Sequence, residues 1–284
     1  MTENNQGMLY VVATPIGNLD DLSPRAQRIL AEVQLIAAED TRHTSMLLSH
    51  FDIHTSLISL HDHNETQKTP KLVEKLLAGT SLALVSDAGT PLISDPGFIL
   101  VRAARAAGIR VIPIPGTCAL IAALSVSGLA TDRFVFEGFL PAKTVARKKR
   151  LADLAIEPRT LVFYESIHRL EESLSDMVQV LGGERQSVIA RELTKLYEDI
   201  RTGMLAELVS QITSDSFATK GEVVLIVAGA TATKTTKASA DVDRVLKALL
   251  AAMPVKQAVV LASEITGVSK NQLYQRALDI SGNQ

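Results

Sequence analysis

The apolar tetrapeptide Leu82-Ala83-Leu84-Val85 runs without a spacer into Ser86-Asp87-Ala88-Gly89-Thr90-Pro91-Leu92-Ile93-Ser94-Asp95-Pro96-Gly97. The first four residues read as a buried strand. The next twelve contain two Gly, two Pro and two Asp, so the strand cannot turn straight into a helix. A βα connection normally takes about two to six residues, and this one is longer. In an open α/β sheet, ligands bind in the crevice at the carboxyl ends of the strands. The loop is therefore expected to hold a ligand, not merely to reverse the chain.

Strands and helices alternate along the first two-fifths of the sequence. Strands are expected over 8–13, 56–60, 82–85 and 110–114. Helices are expected over 24–37, 69–77 and 98–107, the first opened by Ser23 as cap with Pro24 in the first turn. This order predicts βαβ units and a mainly parallel sheet. Pro113-Ile114-Pro115-Gly116 breaks the rhythm and marks a domain boundary. Beyond a small-residue helix over 117–127, strands are expected over 134–139, 160–164, 187–191 and 222–228, with helices over 144–154, 168–181 and 205–212. The fold class is thus α/β, with a parallel sheet in residues 1–115 and a mixed sheet in 116–229. A polar linker over 230–240 leads to a small helical domain over 241–284. Its last two helices flank Gly267, a pattern resembling a helix-turn-helix.

Apolar residues make up 46% of the 284, enough for a large core, and only 4% are aromatic, so aliphatic side chains must fill it. The single cysteine, Cys118, excludes an internal disulfide framework and fits a reducing compartment. The polar N-terminus lacks the pattern of a signal peptide, and the apolar stretch at 117–130 is too short to span a bilayer. A soluble, cytoplasmic protein is expected. The net charge of −2 says nothing of a nucleic-acid partner, but its distribution does. From Ala230 onward seven basic residues stand against four acidic ones, and residues 143–150 hold Lys143, Arg147, Lys148, Lys149 and Arg150 with no acid. Two basic regions are compatible with RNA or DNA binding.

No phosphate loop, dinucleotide fingerprint, nucleophile elbow or zinc-protease motif is present. His61-Asp62-His63 offers two imidazoles on one face, but no third and fourth ligands are evident, so no metal is expected. The polar residues gather just after apolar strands: Thr14-Pro15-Ile16-Gly17-Asn18, Glu39-Asp40-Thr41-Arg42-His43, the Asp87 loop, Glu165-Ser166-Ile167-His168-Arg169 and Arg191-Glu192-Leu193-Thr194-Lys195. Several charged strand ends predict one cleft between the two α/β domains.

These segments, with Pro115-Gly116-Thr117 and Gly221-Glu222, resemble the tetrapyrrole-methylase-fold enzymes over residues 8–228. The closer likeness is to the branch that methylates a ribose 2′-hydroxyl in 16S rRNA, and the helical tail matches that branch's extension. The porphyrin-modifying members carry a G-x-G-P-G-D first loop and a G-D-P loop. This chain has Ala13-Thr14-Pro15-Ile16-Gly17-Asn18 and Ala88-Gly89-Thr90-Pro91 instead. The resemblance therefore implies S-adenosylmethionine as cofactor, but not a tetrapyrrole as acceptor.

By the same resemblance, the cofactor contacts Pro15, Asp87, Ala88, Gly89, Thr90, Ile93, Cys118, Ala119, Tyr164, Glu165 and Leu193. The implied acceptor is a cytidine ribose in the decoding region of 16S rRNA or of the small subunit, and the implied assembly is a homodimer. Transfer from a sulfonium to a hydroxyl needs alignment, exclusion of water and a group to receive the proton. Candidate bases are Asp40, His61, Asp87, Glu165, Glu192 and Lys195. Asp40 and Arg42 form the favoured acceptor-side wall, with Glu165 and Lys195 next. RNA contacts are expected from Arg42, Lys143, Arg147, Lys148, Lys149, Arg150, Lys256, Lys270 and Arg276, because Arg and Lys neutralise phosphate. Two other readings remain open: a small-molecule or protein-modifying methyltransferase of the same fold, and a DNA-binding regulator that senses the cofactor.

Overall fold

The computed structural model describes residues 6–214, 221–231 and 236–281. The chain forms two compact units, residues 1–230 and 231–284.

The first sheet of the larger unit comprises β1 (Leu9–Val12), β2 (Leu35–Ala38), β3 (Leu57–Ser59), β4 (Leu82–Val85) and β5 (Val111–Ile114). All its pairings are parallel, in the order β3-β2-β4-β1-β5. The intervening helices are α1 (Pro24–Glu32), α2 (Thr41–His50), α3 (Glu65–Leu77) and α4 (Phe98–Ala106). All four residues of β4 are buried, with β1 and β2 packed on its two edges. From β1 the chain crosses to the β2 side of the sheet, and from β4 it crosses to the β5 side. The connections from β1 and β4 thus leave in opposite directions, each passing the other strand, so their loops meet at the carboxyl ends of two adjacent strands, the end of an open α/β sheet where ligands bind.

The second sheet has the order β6-β7-β10-β8-β9, from β6 (Phe134–Phe139), β7 (Thr160–Ser166), β8 (Gln186–Arg191), β9 (Asp199–Met204) and β10 (Glu222–Val227). Strands β6 and β7 run parallel and the other pairs antiparallel, so the sheet is mixed as expected. Strand β10 buries Val223, Val224, Leu225, Ile226 and Val227 at its centre. On one face the sheet packs with α6 (Thr144–Leu154), α7 (Leu170–Leu181) and α8 (Leu205–Ser214) through Leu151, Phe163, Leu174, Met177 and Leu208. On the other, Val162, Val188, Val224 and Ile226 meet Ile16 of the β1 loop and Leu120, Ala123 and Leu124 of α5 (Ala119–Val126). That second cluster joins the two sheets.

The smaller unit consists of α9 (Thr236–Leu250), α10 (Val255–Thr266) and α11 (Lys270–Ser281) around Val242, Leu246, Val259, Ala262, Leu273 and Ala277. Gly267 closes α10 in the left-handed conformation at φ +70°, which only a residue without Cβ adopts cheaply.

Five expectations need correction: helix α2 (Thr41–His50) was not expected between β2 and β3, and four others differ. The helix expected over 24–37 ends at Glu32, and Leu35–Ala38 is a buried strand instead. Strand β9 was not expected; it is an edge strand with a largely polar sequence. Helix α3 begins at Glu65, four residues early, and carries Pro70 inside it. The linker expected over 230–240 is partly helical, since α9 begins at Thr236, while residues 232–235 lie outside the described residues.

Candidate functional site

The loops after β1 and β4 are stitched together. Gly89 and Thr14 exchange backbone hydrogen bonds at 2.9 and 3.0 Å, and the Thr14 hydroxyl donates to the Ser86 carbonyl at 3.2 Å. The Thr90 hydroxyl donates to the Thr117 carbonyl at 2.8 Å, and the Thr117 hydroxyl returns a bond to the Thr14 carbonyl. Three threonines thereby fix three loops against one another. Within the β4 loop, Leu92 and Ser94 hold φ at +74° and +67°. In the loop after β8, Glu192 and Thr194 do the same at +50° and +67°. Side-chain-bearing residues avoid this region, and such strain clusters where a loop must present a ligand surface.

Between these loops lies a cavity of about 390 Å³, within the size range of small-molecule sites. One wall comes from the first sheet: Ile16, Glu39 at the end of β2, and residues 87–90 and 93–95. The other comes from Ala119, Phe139, Tyr164, Glu165, Ser166, Ala190, Leu193 and residues 221–224. Gly221, at φ +126°, is required here, because a Cβ would stand 2.8 Å from Glu192 Oε1.

Of the residues expected to contact the cofactor, Asp87, Ala88, Gly89, Thr90, Ile93, Ala119, Tyr164, Glu165 and Leu193 line this cavity. Pro15 is buried beside Ile16, and Cys118 borders the cavity through its contact with Tyr164. The Tyr164 hydroxyl accepts from the Leu120 N–H at 3.3 Å. Burial pushes the Tyr164 phenol up, with Cys118 adding to the shift. Glu39, Asp95, Phe139 and Glu222 also line the cavity, and sequence reasoning did not single them out. Asp95 lies in the same Gly/Pro/Asp run as Asp87, and Glu39 sits one residue before Asp40, so position at a strand end was the available signal.

The electrostatics separate the candidate bases. Asp40 caps α2, accepting from the Arg42 N–H at 2.8 Å, and pairs with the Arg42 guanidinium at 2.7 Å. Those bonds hold its carboxyl well below the usual range, so it is a poor base. Glu165 has a fully buried side chain; it accepts from the Ser173 hydroxyl at 2.5 Å and the Ser166 N–H at 2.8 Å, with Arg169 at 3.5 Å. That carboxylate is already engaged and braces β7 against α7, which corrects its candidacy as a base. Burial works to lower the Lys195 pKa, but the hydrogen bond to Glu192 and the charges of Glu222 and Glu192 outweigh it. A protonated Lys195 cannot accept a proton. Its stem crosses Gly17 instead, where any Cβ would stand 2.3 Å from Lys195 Cε. Glu39 behaves oppositely. Burial, reinforced by Asp87 and Asp95, pushes its carboxyl up to about 7. Burial likewise pushes Asp95 up to about 6.

The expected RNA contacts divide too. Arg147 is corrected: its side chain is buried, paired to Asp176 at 2.6 Å and Glu172 at 3.4 Å, and donates to the Ala142 carbonyl. Lys148 shares Asp176 at 3.3 Å, and Arg150 pairs with Glu137 at 2.6 Å. Lys143, Lys149 and Arg42 are exposed. In the smaller unit Lys256 and Lys270 are exposed, while Arg276 ties α11 to α9 through Asp243 at 2.7 Å.

The fold and the site define a class. The pattern of the tetrapyrrole (corrin/porphyrin) methylases matches residues 8–209, and the chain belongs to that family of S-adenosylmethionine-dependent enzymes. Solved relatives of the fold include a diphthine synthase (TM-score 0.58, 15% identity, covering 78% of this chain and 90% of that one). Another is a uroporphyrin-III C-methyltransferase from Thermus thermophilus (TM-score 0.54, 20% identity, covering 78% and 94%). Within the family the chain stands with the ribosomal RNA small subunit methyltransferase I proteins. It is 58% identical to the one from Pseudomonas aeruginosa over 97% of this chain and 98% of that relative. It is 55% identical to the one from Escherichia coli O157:H7 over 99% and 98%. Residues 236–281 match the pattern described as the RsmI C-terminal HTH domain.

Proposed function

We propose that this protein transfers a methyl group from S-adenosylmethionine to a cytidine ribose 2′-hydroxyl in the decoding region of 16S rRNA. The observation that carries the reading is the cavity at the β1/β4 crevice, in a chain more than half identical over nearly its whole length to rRNA small subunit methyltransferases. The residues present fit the cofactor. Ile16, Ile93, Ala119, Leu193 and Val224 supply apolar surface for a purine, and the β4 loop, apart from the bridge of Gly89 to Thr14, lies outside the strands. Carboxylates supply the field that a cationic ligand needs.

When bound, the cofactor supplies an electrophilic methyl on a leaving group already activated by positive charge. The protein's part is alignment and exclusion of water, and alignment alone is worth roughly 7–11 kcal/mol. The threonine-stitched loops hold the crevice to one shape. Glu39, Asp87 and Asp95 are the cavity carboxylates without a cationic partner and receive the hydroxyl proton, since Asp40, Glu165 and Glu222 are paired with Arg42, Arg169 and Lys195. Arg42, Lys143 and Lys149 on the larger unit, and Lys256 and Lys270 on the smaller, hold phosphates. We place the protein in the cytoplasm with the small subunit and infer a homodimer, to be read from light scattering. No helix among the described residues is long and apolar enough to cross a membrane.

The test is mass spectrometry of 16S rRNA from cells lacking the protein, together with labelled methyl transfer in vitro to small-subunit particles and to precorrins. One missing ribose methyl, restored by the purified enzyme, supports the reading. Transfer to precorrins alone would overturn it.

A further inference from the structure

Five acidic residues line the cavity, Glu39, Asp87, Asp95, Glu165 and Glu222, and among the described residues no Lys, Arg or His does. Two of the five already have a cation: Glu165 faces Arg169 at 3.5 Å, and Glu222 faces Lys195 at 3.3 Å. The other three have neutral partners. Asp87 accepts from the Asp40 N–H at 2.9 Å, Asp95 is hydrogen-bonded to the Ser86 side chain, and Glu39 is bonded through backbone at Asp87. Asp62, on the loop after β3, adds negative field to Glu39 and Asp95 from outside the cavity. His61 and His63 flank Asp62, and the exposed Arg42 guanidinium, paired with Asp40, does not line the cavity. Across the cavity Asp95 faces Tyr164, whose phenol burial keeps protonated and neutral. Three uncompensated carboxylates therefore share one partly buried wall.

We propose that this wall selects the ligand by charge, holding the cationic sulfonium donor in preference to the neutral thioether left after transfer. Methyl transfer breaks the carbon–sulfur bond with both electrons left on sulfur, while the acceptor oxygen bonds the carbon and passes its proton to one of the carboxylates Glu39, Asp87 and Asp95, from which it leaves to water. The ligand loses its positive charge in that step, and with it the attraction of Glu39, Asp87 and Asp95. Binding is thereby weakened once the reaction is over, which favours release of the spent product. In a half-buried site a single charge interaction of this kind is worth about tenfold or more in affinity. The raised Glu39 and Asp95 carboxyls fit this design: burial first, and then the neighbouring carboxylates, favour their protonated forms until a cation relieves them. The inference rests on the S-adenosylmethionine reading above.

The experiment is calorimetric titration of the full chain with S-adenosylmethionine, S-adenosylhomocysteine and an analogue bearing an ammonium group in place of the sulfonium. It runs from about pH 5.5 to about pH 8, in buffers of different ionisation enthalpy. Expected are a preference of roughly tenfold for both cationic ligands at the upper pH, shrinking toward unity at the lower, and proton release on binding them alone. Glu39→Gln and Asp95→Asn should each flatten the pH dependence; should either fail to fold, the wild-type series alone decides. Equal affinities at every pH, with all three ligands bound, would overturn the charge selection and leave the cofactor reading standing. Binding of none of the three would overturn both.

Discussion

The backbone N–H of Asp40 donates to the Asp87 carboxylate at 2.9 Å, joining the start of α2 to the loop after β4. Strands β2 and β4 are neighbours, so their ends emerge side by side, and Asp87 uses one oxygen to lock the two loops in register. Asp87→Ala leaves that donor without its partner and should cost roughly 1–2 kcal/mol of stability. Asp87→Asn keeps an acceptor and should melt near the wild type while binding S-adenosylmethionine more weakly. Thermal melts alongside ligand titration check both. If the two variants lost equal stability, charge would outweigh hydrogen bonding at this position.

Gly97 stands where the β4 loop enters α4, at φ +123°, and a Cβ there would lie 2.6 Å from Leu84 Cδ2. Leu84 is a buried β4 residue in the first-half core and cannot retreat easily. Gly97→Ala should therefore lower stability by about 1–3 kcal/mol and disturb the loop above the cavity. A drop in melting temperature, together with a weaker cofactor titration, is the expected pair of readouts.

Arg147 should behave as a core residue despite its place in a basic run. Replacing it with Ala leaves Asp176 in a buried setting with only Lys148 at 3.3 Å, a change expected to cost about 3 kcal/mol. Lys149→Ala, on the exposed side of the same helix, should leave stability unchanged and weaken RNA binding. Chemical denaturation and filter binding of the two variants separate these roles.

The difference was partly legible in the sequence. Arg147, Leu151 and Leu154 fall four and three residues apart, the spacing of one helix face, and all three are buried. Counting charge without periodicity hid this. Strands β1 and β4 were readable as apolar runs bounded by turn formers. Strand β2 was not, because Ala37 and Ala38 carry no strand preference and no Gly or Pro separates them from α1. The polar β9 is held by pairing with β8, a tertiary cause invisible to local pattern. The cavity loops announced themselves, whereas the raised Glu39 and Asp95 carboxyls depend on burial and on neighbours from other strands.

Those two carboxyls also set a pH dependence of folding. Glu39 sits near 7 in the folded protein against an ordinary 4.5, so between those values the folded state holds a proton that the unfolded chain has released. Stability must then fall as pH rises through this window, and Asp95 adds the same sign up to about 6. Glu39→Gln, with nothing to ionise, should reduce the slope and raise the melting temperature most at about pH 8. A slope unchanged in that variant would show that Glu39 titrates normally.

The smaller unit offers a separate test of RNA contact. Lys256 and Lys270 are exposed on α10 and α11, whereas Arg276 is committed to Asp243. Phosphate contacts release counterions, so each lost contact lowers the slope of log affinity against log salt by about 0.7–0.9. Lys256→Ala with Lys270→Ala should flatten the slope for small-subunit rRNA by roughly twice that amount. Arg276→Ala should act mainly through loosened packing of α11 on α9, lowering stability with a smaller change in slope. Measuring affinity at several salt concentrations for these two variants and the wild type distinguishes the roles. A double lysine variant with the wild-type slope would remove α10 and α11 from the RNA-binding surface.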